Sequence, residues 1–231
     1  MTAWIEVPGA PGIPVRLRRH RQARRLTLRV SRVDGTVTLT LPTSCGTAEA
    51  RRFLADRAGW LRRVRAELPA RAPVVPGAVL PLRDVPLRIA ADAGRGVRVT
   101  GGRLAVGGPA DRVAARLRAF LIHEARADAA RATARHAARL GRPAPPVRLA
   151  DTRSRWGSCT ADGRLMLSWR LVMAPPLVLD YVAAHEAAHL VHMDHSPAFW
   201  ATVGALFPDH AAARQWLKAR GADLLRYDFR G

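Results

Sequence analysis

Residues 185–195 read His185-Glu186-Ala187-Ala188-His189-Leu190-Val191-His192-Met193-Asp194-His195, and this stretch decides how the chain is read. His185 and His189 are four apart, so on a helix they stack one turn above the other and offer two imidazoles to a single metal ion. Glu186 lies about 100° round the helix from His185. That position aims it at a water beside the metal rather than at the metal. His195 follows six residues after His189, past the expected helix end, where a turning chain can bring it under the ion. Three imidazoles and one open position describe a catalytic zinc site rather than a closed structural one. The context supports a buried helix. Pro175 and Pro176 open it, and Leu177, Leu179, Tyr181, Val182, Leu190 and Val191 supply apolar positions. Buried His and Glu side chains need a compensating partner, and a metal provides one.

Composition narrows the class. The chain has 231 residues, 48% of them apolar, and a net charge of +20, enough length for one large domain or two small ones. No run of 18 or more apolar residues occurs, so no membrane span is expected. The first residues carry no basic start followed by an apolar run, so no secretory signal is expected. Cys45 and Cys159 are the only cysteines and form no close pair, which points to a reducing, cytoplasmic setting. The basic residues are almost all Arg, with Lys218 the single Lys. Such a field attracts polyanions. The densest stretch, 16–25, has Leu17 as its only large apolar residue and no aromatic ring for base stacking, so a solvated basic face is its favoured reading over a nucleic-acid site.

Pattern along the chain predicts an α+β protein. Residues 1–14, rich in Pro and Gly, read as an extended arm. Residues 15–20 read as a strand. Leu26, Leu28 and Val30 alternate with polar residues, Asp34-Gly35 marks a turn, and Val37, Leu39 and Leu41 alternate again, which predicts a hairpin. Spacings of three and four from Ala50 to Leu68 predict one amphipathic helix over 48–68. Residues 69–81 read as a Pro-rich connector, and short strands are expected near 85–90, 96–100 and 103–106. Residues 110–140 lack Pro and Gly and predict one long helix, stopped at Gly141. The His123-Glu124 pair within it has Ala127 where a second His would be needed, so it reads as a plain helix face. A second hairpin is expected from Arg153 through Asp162-Gly163 to Trp169. The metal helix follows over 176–192, then a helix capped by Ser196 with Pro197 at its first position, and a last helix from 209 ending at Gly221. No internal repeat is visible. The texture change at 109 divides the chain into an N-terminal β-rich subdomain (1–108) with one helix and a helical domain (109–231) with a β-hairpin beside the metal helix.

Hairpin, metal helix and capped helix together carry a resemblance. Ser154-Arg155-Trp156-Gly157-Ser158-Cys159, then Leu165 to Pro176, then His185-Glu186-Ala187-Ala188-His189-Leu190, then His195-Ser196-Pro197-Ala198-Phe199-Trp200, resemble the YgjP-type zincin-like metallohydrolases, relatives of the SprT-like metallopeptidases. The likeness runs from the strand near 24 to the helix ending near 220 and is strongest over 147–217. It implies a zincin-like domain with Zn2+ held by His185, His189 and His195, and Glu186 as general base. His192, three residues past His189, is a rival third ligand. His195 is preferred because it can approach from a turn, whereas His192 would have to reach along the helix axis.

The chemistry expected of such a site is metal-assisted hydrolysis, with a polypeptide as substrate. Arg155, His192 and Tyr181, in that order, are the candidate donors to a developing oxyanion. The 153–159 arm is a candidate platform for an extended substrate. Trp156 is expected to pack the hairpin onto the metal helix, and Cys159 to be a small core residue. The alternatives are a metal-dependent nucleotide pyrophosphohydrolase, disfavoured by the lack of a Gly-rich phosphate cradle, and a basic nucleic-acid-associated module with structural zinc, disfavoured by Glu186 and the open coordination position.

Overall fold

Val37, Leu39 and Leu41 alternate with threonines, and all three are buried in a strand that forms the middle of a sheet. The computed structural model describes residues 3–31, 35–67 and 71–229. It divides into two units, Met1–Ala70 and Arg71–Gly231. In the first, strands β1 (Ala3–Val7), β2 (Ala10–Arg19), β3 (Thr27–Val30) and β4 (Val37–Leu41) form a sheet in the order β1-β2-β4-β3. The Pro/Gly-rich arm is therefore β1 and the start of β2, paired antiparallel across the bend at Pro8-Gly9. The β3–β4 hairpin has the expected register, with Leu28 opposite Leu39 and Val30 opposite Val37. Of its turn, Asp34 falls outside the described residues. The helix expected over 48–68 is two helices, α1 (Thr47–Asp56) and α2 (Ala58–Ala66), broken at Arg57. The break adjoins Gly59, the poorest helix former in the stretch. Leu54, Ala58 and Leu61 nevertheless all face the same core as Val15 and Leu39.

The second unit opens with the same strand plan. Strands β6 (Val79–Leu82), β7 (Val85–Asp92), β8 (Val97–Thr100) and β9 (Arg103–Gly107), which follow the short β5 (Ala72–Pro73), form a sheet in the order β6-β7-β9-β8. In both units two antiparallel hairpins join through a parallel central pair, and a helix follows. This is a repeat of topology that alternation patterns do not advertise, because they fix only which residues point inward. β6 lies inside the expected Pro-rich connector; Pro81 is tolerated because β6 is an edge strand. Its two-residue turn holds Arg83 and Asp84 at φ 51° and 67°. Both backbone N–H groups donate to carbonyls of Val172 and Met173, and the Arg83 guanidinium pairs with Glu124 and Asp128 at 2.9 Å each.

The long helix is α3 (Val113–Arg139), preceded by a 3-10 turn over Ala110–Arg112. Gly141 follows it at φ 66°, as a C-terminal stop requires. His123 is exposed on α3. The second hairpin is β11 (Gly157–Cys159) and β12 (Leu165–Ser168), with β10 (Val147–Ala150) parallel to β12, giving the order β10-β12-β11. Residues Trp169–Met173 form a buried 3-10 segment leading to α4 (Pro176–Ala188). α5 (Pro197–Leu206) and α6 (His210–Leu225) complete the unit, and β13 (Tyr227–Asp228) pairs with β5. α6 runs through Gly221 instead of ending there; a Cβ at that position would sit 3.0 Å from Trp156 Cζ2. Trp156 therefore packs the hairpin end against α6.

One core joins β6, β7 and β9 to α3, β12, α4, α5 and α6. The compact units thus divide at 70/71, whereas the texture change at 109 marks the passage from strands to helices inside the second unit. α3 and α4 pack against each other, and both bury small residues, Ala125, Ala129 and Ala132 on one and Ala183, Ala184 and Ala187 on the other. His136 Nε2 lies 2.6 Å from Asp180 Oδ1 across this contact. Among the described residues, no helix is long and apolar enough to cross a membrane.

Candidate metal centre

α4 begins with Pro175 as its N-cap and Pro176 at the first turn, where a missing N–H costs nothing. It is buried on several sides, although Leu177 faces solvent (46% exposed), as does Val191 (43%) beyond its end. The helix ends at Ala188, earlier than expected, with His189 as its C-cap. The chain then tightens, with the Leu190 and Val191 N–H groups donating to Ala187 and Ala188 carbonyls. Ser196 caps α5 by accepting from the Phe199 N–H at 3.4 Å, and its own N–H donates to Asp194 at 3.3 Å. These contacts fix His195 between two helix ends.

The three histidines come together. One ring nitrogen from each of His185, His189 and His195 lies within 4.8 Å of the others, and the Nε2 atoms of His185 and His195 are 3.3 Å apart. His192 is not in the group. Its carbonyl instead accepts from His189 Nδ1 at 2.9 Å. A carbonyl can only accept, so Nδ1 carries the proton and Nε2 is left with its lone pair, the arrangement found behind metal-ligating imidazoles. Burial pushes the His185 imidazole down to about 4, helped by the neighbouring His189 and His195, and lowers His189 as well. These two rings are therefore neutral at pH 7. Convergent neutral nitrogens suit a divalent cation, and the all-imidazole set suits zinc. Beneath them lies Phe199, wholly buried and stacked on His189 at 4.5 Å, with His185 and His195 at 4.9 and 4.8 Å.

Glu186 is 5% exposed. Burial raises its carboxyl to about 7, against a lowering pull from the Arg155 charge. It is pressed against the hairpin: a Cβ at Gly157 would stand 2.3 Å from Oε1 and 2.6 Å from Cγ of Glu186. Gly157 is thus required for this approach. A Gly157→Ala chain is expected to keep its metal content and lose about 100-fold in hydrolysis, since displacing a reacting group by an ångström carries a cost of that order. Metal analysis beside a rate measurement checks it; an unchanged rate would show that the approach is not needed.

Of the other expected residues, Tyr181 is buried with its ring 6.0 Å from His185, and burial raises its phenol. Arg155 is exposed and bears on the site through its charge on Glu186. Cys159 is half-buried, and burial and the Glu186 charge raise its thiol. Sequence reasoning missed three contributors, Gly157 as a close-approach position, Phe199 as the floor, and Arg214. Arg214 lies 5.0 Å over the Trp200 ring, and its charge lowers both His185 and Tyr181. No local spacing signals a residue delivered from α6.

The converging histidines beside a buried carboxyl fit a metallohydrolase, and the family comparison gives the class as a metallopeptidase-type domain. More particularly, the chain belongs to the YgjP-like family: the model described as YgjP-like, metallopeptidase domain matches residues 24–220. Among curated proteins and among solved structures, nothing matches the chain.

Proposed function

We propose that the chain is a zinc-dependent peptidase in which His185, His189 and His195 hold the metal and Glu186 is the general base. The observation that carries this reading is the convergence of three imidazoles beside a buried, unusually basic carboxyl. Zinc, when bound, supplies the charge that lowers the pKa of water towards about 7. Glu186 takes a proton from the attacking water and delivers it to the leaving amine. Its burial against β11 keeps bulk water away from the carboxyl that has to carry the proton. Arg155, His192 and Tyr181 remain the candidate donors to the oxyanion, and Arg214, whose charge acts on His185 and Tyr181, joins them.

A peptide substrate is favoured by β11. It is an edge strand of its sheet and carries Gly157, the residue against Glu186. An extended peptide can add to such an edge through main-chain hydrogen bonds, placing a scissile bond near the carboxyl.

The test uses the metal-depleted chain, before and after zinc is restored, on an unfolded polypeptide and, in parallel, on nucleoside triphosphates. Zinc-dependent, chelator-sensitive cleavage of the polypeptide is expected. Turnover of triphosphate alone would replace the peptidase reading with a pyrophosphohydrolase. In the same experiment His195→Ala should lose bound zinc while His192→Ala keeps it; the reverse would exchange their roles.

A further inference from the structure

The basic stretch near the N-terminus has no aromatic ring of its own, but the fold brings two to it. Arg25, Leu26, Thr27 and Leu28, at and before β3, form one wall of a groove of about 310 Å³, and Phe53, Arg57 and Trp60 from α1 and α2 form the other. This is near the lower end of ligand-sized clefts, roughly 300 Å³. Trp60 is 38% exposed and Phe53 half-buried, with the Arg57 guanidinium 5.6 Å over the Phe53 ring. Arg25 is exposed in its wall, and Arg21, Arg24 and Arg29, within four residues of it in the chain, are exposed as well.

The surroundings are strongly one-signed. Residues 1–70 hold fourteen Arg and five acidic residues. Arg19 and Arg65 are engaged by backbone carbonyls. Among the described residues, no arginine of this unit forms an ion pair; every ion pair lies beyond residue 70. Unneutralised guanidinium groups around a ring-lined slot are what a phosphodiester strand with unstacked bases requires. A membrane surface fits less well. Trp4 and Trp60 are the only exposed large apolar residues described in the unit, and they stand on opposite sides: Trp4 on edge strand β1, Trp60 beside edge strand β3. No continuous apolar face is formed.

We propose that the groove between β3 and the α1–α2 pair binds single-stranded nucleic acid, with a base against Trp60 and Phe53 and the flanking phosphates on Arg25 and Arg57. Base stacking on the rings and phosphate contacts on the arginines are common to both sugars, so DNA and RNA strands are expected to bind alike. Every residue of the groove lies in the first unit, whereas the three converging histidines lie in the second.

The test measures fluorescence anisotropy of labelled oligothymidylate, about fifteen nucleotides long, with the full chain in the presence of chelator. Binding is expected, with oligouridylate equal within about threefold and a duplex of the same length weaker. Trp60→Ala should weaken binding roughly tenfold or more, and Trp60→Phe should restore most of it. Trp4→Ala, on the opposite sheet edge, should leave it unchanged. Joint Arg25→Gln and Arg57→Gln substitution should flatten the salt dependence by about 0.7 of a log unit per arginine. Thermal melts of each variant confirm folding, and Trp60→Phe keeps the test decisive if Trp60→Ala melts early. Equal effects of Trp4→Ala and Trp60→Ala, preference for duplex, or binding to phosphatidylserine vesicles with none to oligonucleotide would each overturn the proposal.

Discussion

A Glu186→Gln chain is expected to bind zinc like the parent and to hydrolyse its substrate roughly a hundredfold to ten-thousandfold more slowly. The two halves of this result have different causes. In the proposed site zinc is held by His185, His189 and His195, whose nitrogens converge within 4.8 Å, and the carbonyl of His192 orients His189. None of these depends on the Glu186 carboxyl. The proposed catalysis requires it because a positioned base contributes about 10²–10⁴-fold, and an amide cannot take up a proton near neutral pH. Gln keeps the shape that fits against Gly157, so the neighbouring backbone has no reason to move.

A stability result accompanies the loss of activity. In the metal-free chain burial raises the Glu186 carboxyl from 4.5 to about 7. Its ionisation therefore opposes folding. The penalty is absent below the unfolded-state pKa, grows between about 4.5 and 7, and is complete above that range. The metal-free Glu186→Gln chain should accordingly melt no lower than the parent at pH 8, despite being inactive. Retained hydrolysis with full zinc content would remove Glu186 from the mechanism. Lost zinc would instead make the carboxyl part of the metal's support.

The parts of this site that were legible in the sequence are those set by local geometry. His185 and His189 are placed by one helical turn, and His195 by the Ser196-Pro197 cap that ends its loop. Fold class followed from alternation and from the Ala-rich run, since both report which face is buried. What stayed hidden comes from non-local contact. Gly157 reads as one more hairpin residue until α4 is laid beside β11. Phe199 reads as a core position of α5 until three imidazoles are found around it. Gly221 reads as a helix stop, yet its lack of a side chain admits Trp156. Residues 71–108 read as belonging with the strands before them, although Leu80, Ile89 and Leu104 lie in the same core as α3 and α4. Neither hairpin-rich sheet announces that it repeats the other, because many apolar sequences satisfy one pattern of inward positions.

Arg170→Ala is expected to lower stability by about 3 kcal/mol, the low end for breaking a buried ion pair. Arg170 is 8% exposed in the 3-10 segment that leads into α4. Its guanidinium forks onto Asp151, with Nε 2.6 Å from Oδ1 and Nη2 3.3 Å from Oδ2. Nη1 donates to the carbonyls of Leu224 at 3.0 Å and Tyr227 at 3.1 Å. The group also lies 4.7 Å over Trp169 and 5.5 Å over Phe229. One side chain thus ties the exit of β10, the last turn of α6 and β13 to the segment that aims the metal helix. Truncation leaves two carbonyls and a carboxylate without their donor. Asp151 is 37% exposed and can turn to water, so the loss does not reach the full cost of a stranded charge. Lys cannot substitute, because a single ammonium cannot serve a forked carboxylate and two carbonyls at once. For a unit of this size each kcal/mol moves the melting temperature by about 2–4 °C, so Arg170→Ala should melt roughly 6–12 °C below the parent in chelator, and Arg170→Lys should recover less than half of that. Zinc, binding only the folded chain, should raise both melting temperatures. A melting temperature within a degree or two of the parent would show that the three segments are held by apolar packing alone.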